Sequence, residues 1–129
     1  GVVSLVRPDR VIAVDALSAR EAARLCRAVQ VTDAGIVPGS GVGNARSALT
    51  EETLGVPVVA VGVPTVVDAR TLCADLSGAE IDLPEDTELF VTPRDIDTRV
   101  RDSARLVGYA IDLALHDALT IEDIDMFLA

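Results

Sequence analysis

The sequence predicts an α/β fold built on an open, mainly parallel sheet flanked by helices. Residues 11–14 and 56–63 form uninterrupted apolar runs, which are typical of strands covered on both faces. Patterns that favour a helix follow each run, and this alternation of strand and helix is typical of parallel α/β folds. A chain of 129 residues has the length of one domain, so residues 1–129 are predicted to form a single α/β domain.

Local signals in the first half of the chain predict two helical starts. Ser18 is followed three residues later by Glu21, a capping box that predicts a helix over residues 19–27. A short strand is expected at residues 28–31. Thr50 is expected to cap a brief helical turn.

The second half of the chain continues the alternation. Thr65 and Asp68 are predicted to cap a helix directly after the second apolar run, and a third strand is predicted at residues 89–91. Thr92 as the cap and Pro93 at the first helical position predict the longest helix. Its apolar residues recur at three- and four-residue spacing and predict one buried stripe, made of Ile96, Val100, Ala104, Val107, Ile111 and Leu115.

The formal net charge of −10 limits the partners that the surface can bind. An acidic surface repels the phosphates of nucleic acids and anionic lipid, and no apolar run approaches the ~20 residues of a membrane helix. With one histidine and two separated cysteines, Cys26 and Cys73, the chain has no zinc-ligand pattern. These features predict a cytoplasmic protein with reduced thiols that uses no metal, no cofactor, no nucleic acid and no membrane.

Asp15 is the candidate catalytic residue because it directly follows the apolar run at residues 11–14. Open α/β sheets bind their ligands beyond the carboxyl ends of the strands, and a carboxylate there can activate water or share a proton with a second acid. A helix cap or a loop acceptor would explain Asp15 equally well. Asp33 could supply the second acid, although a turn residue is the favoured interpretation for it.

A glycine-rich segment at residues 33–44 is the second candidate feature. It lacks the Gly-Lys-Ser/Thr of a P-loop and no strand leads into its glycines, so phosphate binding is not predicted. Glycine lets the backbone approach a ligand closely, and we therefore expect a loop that shapes a substrate site. The residues assigned to this site beside Asp15 are Asp33, Gly39, Ser40, Gly41, Gly43, Asn44, Thr65 and Asp68.

Three segments, in the same order along the chain, resemble the spore germination protease family. They are residues 11–20 (VIAVDALSAR), 33–44 (DAGIVPGSGVGN) and 52–69 (ETLGVPVVAVGVPTVVDA). The resemblance implies a fold similar to hydrogenase-maturation proteases. It also implies an aspartic-type endopeptidase, made as a zymogen, that initiates degradation of small acid-soluble spore proteins during germination in the spore core. Such an enzyme uses two catalytic aspartates, one of which matches Asp15.

The second aspartate of that family lies in an upstream motif that this chain lacks. The chain is therefore expected to be the C-terminal part of a longer peptidase, a fragment that is inactive alone and pairs with the missing N-terminal segment or with itself. Cys26-Arg27-Ala28 stands where the family usually has Asn-Thr-Thr. Two alternatives stay open, namely a non-catalytic binding or assembly module on the same scaffold and a metal-dependent maturation protease.

Overall fold

A computed structural model describes residues 1–128 of the chain. The chain divides into two compact units, one of residues 1–94 and one that begins at Asp95. The first unit contains the whole sheet and the second contains helices alone. Among residues 1–128, no helix is both long and apolar enough to cross a membrane.

The sheet of the first unit is mixed. Its strands are β1 (Val11–Ala19), β2 (Gln30–Thr32), β3 (Val58–Asp68) and β4 (Phe90–Val91). Strand β3 is central and pairs in parallel with β1, whereas β2 and β4 both pair antiparallel to β3. The α/β class is confirmed, but the prediction of a mainly parallel sheet is wrong. Two of the three strand pairings are antiparallel. The connection from β1 to β2 contains only a short 3₁₀ helix instead of the long crossover helix that typically joins parallel strands of one sheet.

Strand β3 forms the core of the first unit. Val58 and Val67 are 2% and 0% exposed, and Ala60, on the same side as Val58, is 1% exposed. Val61 and Val63 on the opposite face are also buried, so the uninterrupted apolar run does mark a strand covered on both faces. Strand β1 behaves differently because it lies at the edge of the sheet, and Val14 is 57% exposed there.

The helix predicted over residues 19–27 is replaced by an extension of β1 and a short 3₁₀ helix, Ala22–Arg24. Ser18 and Ala19 pair with β3 across a β-bulge instead of starting a helix. The N–H of Ala22, at the start of the 3₁₀ helix, donates to Asp75 Oδ2 at 2.8 Å. A distant side chain therefore accepts the hydrogen bond that the predicted capping box would have supplied. Sheet pairing therefore overrides the local capping signal.

Three α-helices complete the first unit: α1 (Val2–Val6), α2 (Glu51–Leu54) and α3 (Ala69–Ser77). The predicted cap of α2 is confirmed, since Thr50 Oγ1 accepts the N–H of Thr53 at 3.1 Å. The cap of α3 is also confirmed in part. Asp68 accepts two backbone N–H groups of that helix, but Thr65 lies inside β3 and caps nothing.

The second unit consists of α4 (Ile96–Leu115) and α5 (Ile121–Leu128). Helix α4 begins later than Thr92 and Pro93 predicted, because the Thr92 hydroxyl donates to the Thr65 carbonyl at 2.8 Å and is used outside the helix. The prediction that the apolar residues of α4 form one buried stripe is wrong. Val107 is buried, whereas Val100 and Leu115 are 44% and 56% exposed.

Polar contacts fix the helix starts and the pairing of α4 with α5. Arg99 Nε donates to Oδ1 of Asp95, the N-cap residue of α4, at 2.8 Å, and this hydrogen bond lowers the Asp95 pKa. The backbone N–H of Thr120 donates to Asp123 and lowers the Asp123 pKa. Tyr109 of α4 donates to Asp125 of α5, a contact that raises the Tyr109 pKa.

Candidate functional site

Asp15 lies in the middle of β1, where it pairs with Gly62 of β3. The prediction that it stands at the carboxyl end of a strand is wrong, because pairing with β3 carries the strand four residues further, to Ala19. The side chain is half-buried. Within residues 1–128 its carboxylate makes no hydrogen bond and no ion pair. A half-buried carboxylate that no side chain neutralises can accept a proton from water or bind a substrate donor.

Gly62 makes room for Leu17 beside Asp15. Directly paired residues share a face of the sheet, so Gly62 lies on the face of Asp15 and Leu17. A Cβ at residue 62 would stand 2.3 Å from Leu17 Cδ1 and 2.6 Å from Leu17 Cγ. The sequence analysis did not predict this role of Gly62. A lone glycine inside a strand is a known signal that another group packs close to the backbone.

Replacing Gly62 with Ala is therefore expected to destabilise the protein by about 1–3 kcal/mol, because Leu17 must leave its place. Urea unfolding of Gly62→Ala, Leu17→Ala and the double variant measures this effect. If an alanine Cβ at residue 62 clashes with Leu17, the double variant should lose less free energy of unfolding than the two single variants lose together. Additive changes, or a Gly62→Ala protein as stable as the wild type, would contradict the packing described for Leu17.

Residues 36–49 form a loop that backbone hydrogen bonds close at its base, called the glycine finger below. Ile36 and Leu49 exchange two of them, at 3.0 and 2.7 Å, and the N–H of Asn44 reaches the Gly39 carbonyl at 2.9 Å. The tip is a 3₁₀ helix, Ser40–Val42, between two glycines with φ near +76° and +72°, Gly39 and Gly43. Ser40 and Asn44 are exposed at this tip.

The finger brings Gly41 against β1. A Cβ on Gly41 would lie 3.0 Å from both the backbone nitrogen and the Cβ of Ser18. Ser18 follows Asp15 by three residues on the same strand. The glycine tip therefore contacts the strand that carries Asp15, and the prediction that its residues shape a substrate site stays a prediction.

Asp33 and Thr65, two further residues predicted for the site, lie in a turn and in a β-bulge. Asp33 is exposed in the turn after β2, where the turn acceptor is Thr32 Oγ1, which receives the N–H of Ala34 at 3.1 Å. No hydrogen bond joins Asp33 to Asp15 in the described part of the chain. Thr65 is the extra residue of the β3 bulge, since Leu17 pairs with Pro64 and Ser18 with Val66.

Asp68 is committed to helix α3. Its Oδ1 accepts the N–H groups of Arg70 at 2.8 Å and Thr71 at 3.3 Å. We expect Asp68→Ala to lower the free energy of unfolding by about 1 kcal/mol, and Asp68→Asn to change it little, because Asn caps helices as well as Asp. Thermal unfolding of both variants checks this. An Asp68→Asn protein that is destabilised as much as Asp68→Ala would contradict this capping role.

The titratable side chains of the described chain do not assemble into a metal-ligand cluster. Among residues 1–128, no group of three or more His, Cys, Asp and Glu side chains comes together. Cys26 and Cys73 form no disulfide. The candidate site therefore consists of Asp15, the neighbouring Leu17 and Gly62, and the glycine tip beside Ser18.

Comparison with known proteins assigns a family to this arrangement. Residues 1–82 match the sequence profile of the germination protease family, and this span contains Asp15, the glycine finger and β3. The germination protease of Clostridium tetani is 37% identical over 155 residues, which cover 95% of this chain and 48% of the relative. That of Caldanaerobacter subterraneus is 38% identical over 160 residues, which cover 99% of this chain and 49% of the relative.

The germination protease of Bacillus pumilus is 57% identical over 75 residues, which cover 58% of this chain and 20% of the relative. The chain spans about half the length of the clostridial relatives that it matches. The match to the family profile covers more than half of the chain, and the long alignments cover nearly all of it. The chain belongs to the germination protease family.

Proposed function

We propose that this chain is part of an aspartic-type endopeptidase that initiates degradation of small acid-soluble spore proteins during germination. The observation that carries the proposal is the half-buried, unpartnered Asp15 carboxylate inside the span that matches the family. The proposal includes the placement of this chain in the C-terminal part of a longer peptidase, its action in the spore core, zymogen control and a likeness to hydrogenase-maturation proteases.

The chemistry required is water attack on a peptide carbonyl. The Asp15 carboxylate accepts a proton from the water while the water oxygen forms a bond to the carbonyl carbon. A second carboxylic acid donates a proton to the amide nitrogen, and the C–N bond then breaks to release an amine and an acid. Paired carboxylates divide these roles when their environments separate their proton affinities. We propose that the second carboxylate comes from another part of the longer protein.

Cleavage of a purified small acid-soluble spore protein by the full-length protein that contains this chain tests the proposal. We expect peptide-bond cleavage that excess chelator does not reduce and that reagents for serine and cysteine nucleophiles leave unchanged. Cleavage that stops with chelator and returns with nickel or zinc would favour the metal-dependent maturation protease. No cleavage by a folded full-length protein would favour the binding or assembly module.

A further inference from the structure

Leu17 fills the place where a side chain of β3 would face Asp15. Asp15 and Gly62 are directly paired, so a side chain at residue 62 would stand next to Asp15 on the same face of the sheet. Gly62 has none, and the three atoms nearest to the position of its missing Cβ, at 2.3, 2.6 and 3.1 Å, are all side-chain carbons of Leu17. No atom of Asp15 comes as close to that position.

This packing limits the directions that the Asp15 carboxylate can take. Neighbouring strands lie about 4.8 Å apart, so a carboxylate rotated toward β3 would enter the space over Gly62. Leu17 excludes it from that space, because non-bonded heavy atoms keep about 3.5 Å or more between them. Within residues 1–128 no hydrogen bond or ion pair holds the carboxylate. Packing against Leu17 is therefore what restricts its orientation.

The sheet holds Leu17 in this place. Leu17 pairs with Pro64, which is fully buried on the same face. The β-bulge follows directly between Leu17 and Ser18, and the glycine tip lies against Ser18 through Gly41. All of these contacts are made inside the family-matched span of residues 1–82.

We infer that Leu17 is a positioning residue for Asp15, which keeps the carboxylate turned away from β3 in the one orientation from which it accepts a proton from the attacking water. The inference rests on the proposed peptidase function, since it concerns the same carboxylate. Leu17 itself transfers no proton. Its effect comes from geometry, because a catalytic group misplaced by about 1 Å can lower a rate by a factor of about 10².

Kinetic constants for cleavage of spore protein by the full-length protein that contains this chain give the first test. We expect Leu17→Ala to lower kcat about 10- to 100-fold and to leave KM within about threefold, because Asp15 loses its orientation while the substrate contacts remain. Leu17→Met keeps the side-chain volume and should retain kcat within about threefold. Val58→Ala removes a buried side chain of β3 away from Asp15 and controls for lost packing, with kcat expected within about twofold.

Adding Gly62→Ala to Leu17→Ala gives a rescue that lost stability alone does not predict. The new methyl group enters the space that the leucine left and excludes the carboxylate from it again. We expect kcat per folded protein to rise about threefold or more over Leu17→Ala alone. A normal kcat in Leu17→Ala, no rise in the double variant, a raised KM with normal kcat, or an equal loss of kcat in Val58→Ala would each overturn the inference.

Crystal structures of the full-length wild type and of Leu17→Ala test the orientation without any cleavage. We expect one conformer of Asp15 in the wild type, and in the variant a carboxylate that is rotated toward Gly62 or divided between two rotamers. The same single conformer in both structures would overturn the inference. No cleavage of spore protein by a folded wild type would count against the proposed function alone, and the two structures would still decide whether Leu17 positions Asp15.

Discussion

Replacing Asp15 with Asn is expected to lower the kcat for peptide cleavage by the proposed longer peptidase by a factor of about 10²–10⁴, the usual contribution of a positioned general base. Asparagine has nearly the same shape as aspartate but cannot accept the proton of an attacking water. The carboxylate makes no hydrogen bond or ion pair within residues 1–128, so no structural contact is lost with it. The loss should therefore appear in kcat with no drop in thermal stability.

Asp33→Asn is the matched control for that experiment. Asp33 lies in the same family-matched span, is exposed, and takes no part in the hydrogen bond that forms its own turn. We expect its cleavage rate to stay within about twofold of the wild type, as is usual for exposed sites away from the chemistry. Two outcomes would contradict the assignment of Asp15, namely normal cleavage by Asp15→Asn and an equal loss in both variants.

Replacing Gly39 with Ala is expected to unfold the tip of the glycine finger. The backbone at Gly39 has φ near +76°, a conformation that costs an alanine about 1 kcal/mol. In addition, an alanine Cβ would stand 2.1 Å from the Asn44 carbonyl oxygen, which is backbone and cannot move aside without opening the finger. We expect loss of amide protection across residues 36–49 and a large fall in cleavage rate.

Gly43→Ala separates the cost of a positive φ from the cost of the close contact with Asn44. Gly43 has φ near +72°, but a Cβ there would meet nothing within 4 Å. Gly43→Ala should therefore lower the free energy of unfolding by about 1 kcal/mol, which is the cost of the positive φ alone. The amide hydrogens of the finger should remain protected from exchange. If both variants lost protection equally, the close approach of Gly39 to Asn44 would not be what shapes the tip.

The parts of the fold that depend on local chemistry were predictable from the sequence. The apolar run of β3 predicts its burial on both faces, and Thr50 and Asp68 cap the helices that follow them. The two caps act between residues that are two or three positions apart in the chain. The motifs around Asp15 and the glycines also predict the family, which the comparisons confirm.

The parts that depend on distant contacts were not predictable. Ser18 carries a capping pattern, but β3 offers its backbone sheet pairing and Asp75 supplies the acceptor that the turn needs. The same pairing moves Asp15 from the end of a strand to its middle. The reversed directions of β2 and β4 likewise depend on how their connections return to β3, for which residue pattern gives no signal.

The most direct test of the central claim, that Asp15 acts on the scissile bond, is a crystal structure of the full-length protein with a peptide whose scissile amide is replaced by a hydroxyethylene group. The hydroxyl of that group occupies the position of the attacking water. We expect a distance of about 2.6–3.2 Å between this hydroxyl and an Asp15 carboxylate oxygen. A bound peptide whose hydroxyl contacts other acids, with Asp15 beyond the reach of a hydrogen bond or a bridging water, would contradict it.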